Sequence, residues 1–132
     1  MYDDIMMAVI ELMQQWTDIP IRRAALPPDN GISFEKATSD TISISFDRST
    51  IEAVACVLNA KHSDMALAQR TLDVIHARLT RLASYPKNDR WQIYSIETIS
   101  GPCEIGREAN GQWLIGSSVR IKFYNKESVY NG

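Results

Sequence analysis

The chain has 132 residues and a mass of 14.9 kDa, with 45% hydrophobic and 23% charged residues. That length suits one domain with an ordinary core, and the balance lies far from that of disordered chains. A net charge of -2 and a pI near 5.6 argue against a nucleic-acid-binding surface. No apolar run approaches the ~18 residues of a membrane helix.

The first segment, MYDDIMMAVIELMQQW, is apolar but opens on Asp3 and Asp4 where a secretory signal would be basic. It also lacks a small-residue cleavage site, so synthesis in the cytosol is expected. Asp3 or Asp4 opens a helix that runs to about Trp16. Ile5, Val9, Leu12 and Trp16 form its main stripe, widened by Met6, Ile10 and Met13. The solvent face is thin. A core helix accounts for this, as does a helix shared between its own sheet and a neighbouring subunit, since Met packs adaptably.

Ile19-Pro20 breaks the helix, and IPIRRAALPPDNG follows as an extended surface loop. It carries the basic pair Arg22 and Arg23, either solvated or in contact with a partner. Ile32 to Ala37 reads as a short strand and Ser39-Asp40 as its turn. The next strand, TISISF, alternates strictly, with Ile42, Ile44 and Phe46 on one face. Ile51 to Ala60 is apolar on both faces, with Val54, Cys56 and Leu58 opposite Ala53, Ala55 and Val57. Such a strand is central, or lies between a helix on one side and a subunit on the other.

The most regular pattern is the helix from Ser63 to Ser84. Ala68, Leu72, Ile75, Leu79 and Leu82 make one stripe, Ser63 or Asp64 can cap the start, and Pro86 stops the chain. Arg78 and Arg81 suit its last turns. SYPKNDR is a polar turn. Trp91 to about Thr98 is a strand, with Trp91 and Ile93 facing away from Tyr94 and Ile96, and Gly101-Pro102 bends it. Asn110-Gly111 supplies a hairpin turn. The last strand, Gln112 to Tyr124, points Trp113, Ile115, Val119, Ile121 and Phe123 one way and Arg120, Lys122 and Tyr124 the other. The second face reads as an edge strand kept soluble by charge, or as a contact surface. The sum is a single α+β domain over 1–132, in the order α-β-β-β-α-β-β, with a core over 1–125 and a frayed tail from 126.

No residue set announces a chemistry. Cys56 and Cys103 belong to no CxxC pair and read as buried free thiols. Two histidines without a compact Cys/His cluster cannot build a zinc site. His62, Ser63 and Asp64 are consecutive, which cannot align a nucleophile, a base and an orienting group, so they read as a helix start. His76 sits at the border of the helix stripe as a half-exposed structural imidazole. The glycines are scattered among turns and make no phosphate loop. Asp40 with Asp47, or Glu104 with Glu108, would need to meet in space to act as paired carboxylates. Arg120 and Lys122 are too few for a nucleic-acid groove. No catalytic residue, cofactor or metal is expected.

The segments PPDNGISFEKATSD, ISFDRSTIEAVACVLNAKH and MALAQRTLDVIHARL, in that order, resemble the minor capsid and tail-terminator proteins of long-tailed bacteriophages. Gly31-Ile32-Ser33, Asp47, Leu72 to Leu79 and Val119 to Tyr124 carry the likeness, which spans about residues 1–125. Where the family has a glycine in its acidic turn, this chain has Arg48. The resemblance implies a non-enzymatic virion protein, assembled in the bacterial cytoplasm. Its expected partners are further copies of itself in a ring, the tail tube and the head connector. Arg22, Arg23, Arg120, Lys122 and Tyr124 are the expected interface residues. The competing expectation is a small α+β enzyme or ligand-binding domain whose site is built from scattered residues.

Overall fold

The computed structural model describes residues 2–27, 29–44 and 50–126. In chain order the elements are α1 (Tyr2–Gln14), β1 (Ile21–Arg22), β2 (Gly31–Ile44), β3 (Thr50–His62), α2 (Met65–Leu79), β4 (Trp91–Arg107) and β5 (Trp113–Asn125). The strands form one sheet in the order β1-β2-β3-β5-β4. β1 lies parallel to β2, and every other neighbouring pair is antiparallel. The class is α+β, as the sequence pattern implies.

Both helices bury against the same face. Ile5, Met6, Val9, Ile10 and Met13 of α1 join Ala68, Leu72, Ile75 and Leu79 of α2 in one apolar cluster. The sheet contributes Phe34, Val54, Cys56, Leu58, Val119, Ile121 and Phe123 to it. Residues directly opposite in a ladder share a face. The pairs Phe34↔Leu58, Cys56↔Val119 and Ile93↔Phe123 therefore run this core across four strands. The α1 stripe is Ile5, Met6, Val9, Ile10 and Met13, while Leu12 and Trp16 sit half-buried at its margin.

Asp64 caps α2, its Oδ1 accepting from the Leu67 N–H at 3.1 Å. The helix ends at Leu79, well before the expected Ser84, in a tightened turn where the Arg81 N–H bonds the Arg78 carbonyl at 3.2 Å. Thr80 Oγ1 donates to the His76 carbonyl at 2.9 Å, and the Tyr85 hydroxyl donates to that of Leu79 at 2.8 Å. The His76 carbonyl also keeps its helical bond from the Thr80 N–H, whereas the Leu79 carbonyl is one of those a helix end leaves over, and the tyrosine satisfies it. Leu82 is half-buried beyond the helix end.

The strands differ from the sequence reading in several places. Ile32 to Ala37 and the start of TISISF are one strand, with register shifts between Lys36 and Thr38 and between Thr41 and Ser43 in place of a turn. β3 is long enough to partner both halves, and a bulge absorbs the misfit more cheaply than breaking the ladder. Ile42 is 51% exposed, and Phe46 lies outside the described residues. The loop after α1 contains β1. Gln14 fixes this turn, its Nε2 donating to the carbonyls of Thr17 and Ile19 while its Oε1 accepts from the Ile21 N–H.

β4 runs on to Arg107 through Gly101-Pro102, and the expected bend appears as a register shift between Ser100 and Cys103. A further shift between Ile93 and Ser95 brings Ile96 back to the core face with Trp91 and Ile93. The last hairpin closes with the Gly111 N–H on the Glu108 carbonyl, so Ala109 and Asn110 are the central pair. Gly111 follows at φ +87°, where a side chain would be strained. β5 is an interior strand, so Arg120 and Lys122 do not protect an edge. Cys56 is buried as expected, whereas Cys103 is exposed. Lys126 is tied down, its N–H on the Arg90 carbonyl at 2.8 Å, and the rest of the expected tail lies outside the described residues.

Candidate interaction surface

The helices leave the second face of the sheet without a covering layer among the described residues. On β3 this face presents Ile51, Ala53, Ala55, Val57, Asn59 and Lys61, the positions alternating with the core set. On β5 it presents Leu114, Gly116, Ser118, Arg120, Lys122 and Tyr124. The pairs Ile51↔Tyr124, Ala53↔Lys122, Ala55↔Arg120 and Val57↔Ser118 set them side by side. Tyr94 on β4 completes an aromatic end, its ring centroid 4.9 Å from that of Tyr124. At the other end Ile105 lies against Gly116. A Cβ added there would stand 3.2 Å from Ile105 Cγ2, so the glycine lets this side chain lie across the sheet. Ile105 stays 62% exposed, and Tyr94 and Tyr124 are 37% and 41% exposed.

Charge is spread across this face in pairs. Lys122 Nζ bonds Glu97 Oε1 at 2.8 Å, and the Lys61 ammonium is ion-paired with Glu108. Arg120 lies opposite Glu97 in the ladder and is exposed, its side chain without an ion pair or hydrogen bond among the described residues. The middle of the face is small and apolar, with Ala53 buried among its neighbours and Ala55 and Val57 half-buried. Among the described residues the sheet has an edge at β4, bridged near its start by Lys87↔Gln92, and another at β2 beyond its short pairing with β1.

Arg22 and Arg23 belong to neither the face nor each other. They lie at the far edge, on and just after β1, with β2 and β3 between them and the Arg120, Lys122 and Tyr124 group. Arg23 forms an ion pair with Asp3 of α1, so it closes a contact within the chain. The Arg22 side chain is exposed, with no ion pair or hydrogen bond among the described residues.

Two buried polar groups complete the picture. Glu52 sits on the core face at the end of β3, opposite Phe123, and is 9% exposed. Its Oε1 accepts from the Tyr2 hydroxyl at 2.9 Å. Its Oε2 accepts from Thr50 Oγ1 at 2.7 Å and from Asn125 Nδ2 at 2.6 Å. This acid ties the start of α1 and the end of β5 to the central strand. The signal was present in the chain, since Glu52 falls in phase with Val54, Cys56 and Leu58, where an acid needs partners.

His76 is also buried, at 5% exposure, not half-exposed. Its Nδ1 lies 2.8 Å from Thr98 Oγ1, and its Nε2 has no partner among the described residues. Burial lowers its pKa from the usual 6.5, against the weaker pull of Asp73. The Cys56 thiol is pushed up to about 12 by burial, which the nearby Arg23 and Lys36 charges oppose. A thiol so far from ionisation is not a nucleophile at neutral pH.

Glu108, one of the carboxylates considered for acid–base chemistry, is used in the pair with Lys61. Among the described residues no group of three or more His, Cys, Asp or Glu side chains could hold a metal ion. His62 and Asp64 serve the entry to α2, His62 Nδ1 accepting from the Asp64 N–H at 2.9 Å. No helix among the described residues is long and apolar enough to cross a membrane. No protein-family model matches the chain, and no curated protein sequence matches it either.

Proposed function

We propose that this protein is a non-enzymatic assembly protein of a phage virion or prophage. In this reading it is a tail-terminator-like subunit that forms a ring, caps the tail tube and joins it to the head connector. The observation that carries the reading is the uncovered sheet face, with its row of small apolar side chains between Tyr94–Tyr124 and Ile105. Monomeric proteins seldom leave such a surface without a client. The resemblance in sequence supplies the kind of assembly, and the sheet supplies a means.

Strand direction is compatible with a ring. β2, β3, β5 and β4 alternate in direction across the sheet, so β2 and β4 run opposite ways. If the β4 edge of one copy met the β2 edge of the next, the antiparallel alternation would continue. That contact joins two different patches and is therefore heterologous, the type that closes into rings. The bulges on both edges limit indiscriminate pairing and favour a specific partner.

The test is sedimentation across a concentration series, with and without a purified tail-tube protein. Ring formation, or capture on tube ends with tubes of limited length, is the expected result. A protein that stays monomeric in both, and neither binds tubes nor limits their length, overturns the phage reading. The small-enzyme or ligand-binding alternative would then stand first.

A further inference from the structure

Beside β1 the loop after α1 encloses a pocket of about 340 Å³, a size that suits a small molecule. Its walls are apolar, made by Pro20, Ala24, Ala25, Pro27 and Ile32, and among the described residues only Arg22 and Asn30 add polar side chains. The shape is built in. Pro27 packs onto the bare Cα of Gly31, where an added Cβ would come within 2.6 Å of Pro27 Cγ. The Pro20 carbonyl accepts from the Ile32 N–H at 2.9 Å, which seats the start of the loop on β2. Gln14 fixes the turn before it through three backbone groups.

Both polar side chains offer donors. Asn30 Oδ1 is already used, accepting from the Ser63 N–H at 3.1 Å, while its Nδ2 makes no hydrogen bond among the described residues. The Arg22 guanidinium likewise has no ion pair or hydrogen bond among the described residues, and none of their carboxylates lines the pocket. A cation and an amide N–H beside apolar walls, with no side-chain acceptor left over, complement an anion. One guanidinium balances one charge, and its planar fork matches the two oxygens of a carboxylate. A phosphate dianion would bring a second charge against apolar walls without a partner.

We propose that this pocket binds a monocarboxylate carried on a compact, branched apolar body. The carboxylate sits on the Arg22 guanidinium and Asn30 Nδ2, and the apolar end lies against Ala24, Ala25, Pro27 and Ile32. A free small acid offers this chemistry, and so does the C-terminal residue of a polypeptide that ends in an aliphatic side chain. The site needs neither self-association nor a tail tube, so it goes beyond the assembly reading and does not depend on it.

Titration of the full-length protein with isovalerate, followed through backbone amide NMR shifts, tests it. Saturable shifts at Ala24, Ala25, Gly31 and Ile32 are expected, with a dissociation constant on the order of millimolar for so small a probe. Isovaleramide keeps the shape without the charge, and acetate keeps the charge without the apolar body. Each should bind at least about tenfold more weakly than isovalerate. Arg22→Gln should weaken isovalerate binding about tenfold while leaving the denaturation midpoint in place, because the side chain is exposed and unpaired among the described residues. N-acetyl-leucine separates the two sources: binding at least about tenfold tighter than isovalerate assigns the carboxylate to a chain end, and equal or weaker binding assigns it to a free acid. Shifts that stay linear to about 50 mM isovalerate, an amide that binds as well as the acid, or an Arg22→Gln variant with the parent's affinity overturn the proposal and leave the tail-tube test untouched.

Discussion

The two faces of this sheet are cut from the same strands, one residue in two, and differ in what covers them. On β3 the even positions Val54, Cys56 and Leu58 are wholly buried under the helices. The odd positions Ala55 and Val57 lie half-buried with no helix above them. Both sets are apolar, so hydrophobicity along the strand cannot tell the covered face from the other. Size and neighbours can. The covered face pairs large side chains across strands, as in Phe34↔Leu58 and Ile93↔Phe123, whereas the bare face sets small residues beside charges, as in Ala53↔Lys122 and Ala55↔Arg120.

The strongest way to break this contrast is Leu72→Ala. Leu72 is fully buried between α2 and the sheet, and its truncation should cost about 2–5 kcal/mol in lost transfer energy and residual cavity. Chemical denaturation measures it. A loss below about 1 kcal/mol would mean that α2 is not seated on the covered face as described.

Glu52→Ala comes next, at about 1–3 kcal/mol. Removing the carboxylate takes away a buried acceptor that Thr50, Asn125 and the Tyr2 hydroxyl share. Hydrogen exchange should show α1 opening more often at its first turn than α2. Equal protection in variant and parent would mean that Glu52 does not hold α1.

Much of this architecture is legible in the chain, and the gaps have physical causes. The α2 stripe from Ala68 to Leu79 and the buried triplet Val54, Cys56 and Leu58 follow from period alone, because burial selects one residue in 3.6 or in two. The join of β2 does not, since Ser39-Asp40 is turn chemistry that a partner strand as long as β3 overrides through bulges. The end of α2 escapes because apolar period does not mark it: Leu82 continues the stripe in phase, while the chain leaves the helix after Leu79 and the Tyr85 hydroxyl takes the Leu79 carbonyl. Of the five candidate interface residues, Arg120, Lys122 and Tyr124 share a face by alternation. That Arg23 is consumed by Asp3 while Arg22 is not depends on how α1 lies over β1, which no local pattern encodes.

His76 offers a smaller effect on the covered side, read through pH. In the folded chain burial holds its pKa below 6.5, whereas in the unfolded chain it protonates near 6.5. Below that pH the unfolded state binds more protons, so stability falls as pH drops through 6.5 toward the lower folded value. The slope is at most about 1.4 kcal/mol per pH unit for one group. Denaturation at several pH values between 7.5 and 5 should show this decline in the parent and a flatter profile in His76→Gln. Identical profiles would mean that the imidazole is not desolvated.

The smallest effect on stability belongs to the bare face, where it is also the most informative. Tyr124 lies over no helix and touches Tyr94 at 4.9 Å while remaining 41% exposed. Tyr124→Ala should therefore shift the denaturation free energy by about 0.5–1 kcal/mol, the scale of one partly solvated aromatic pair. Leu72→Ala, by contrast, damages the fold and any assembly together. If the bare face meets another copy or a tube subunit, Tyr124→Ala should weaken association at least about tenfold while the monomer stays folded, because exposed aromatics concentrate binding energy once a partner desolvates them. Sedimentation of the variant beside the parent separates the two properties. A variant that assembles as the parent does would remove Tyr124 from the contact and shift attention to the edges of the sheet.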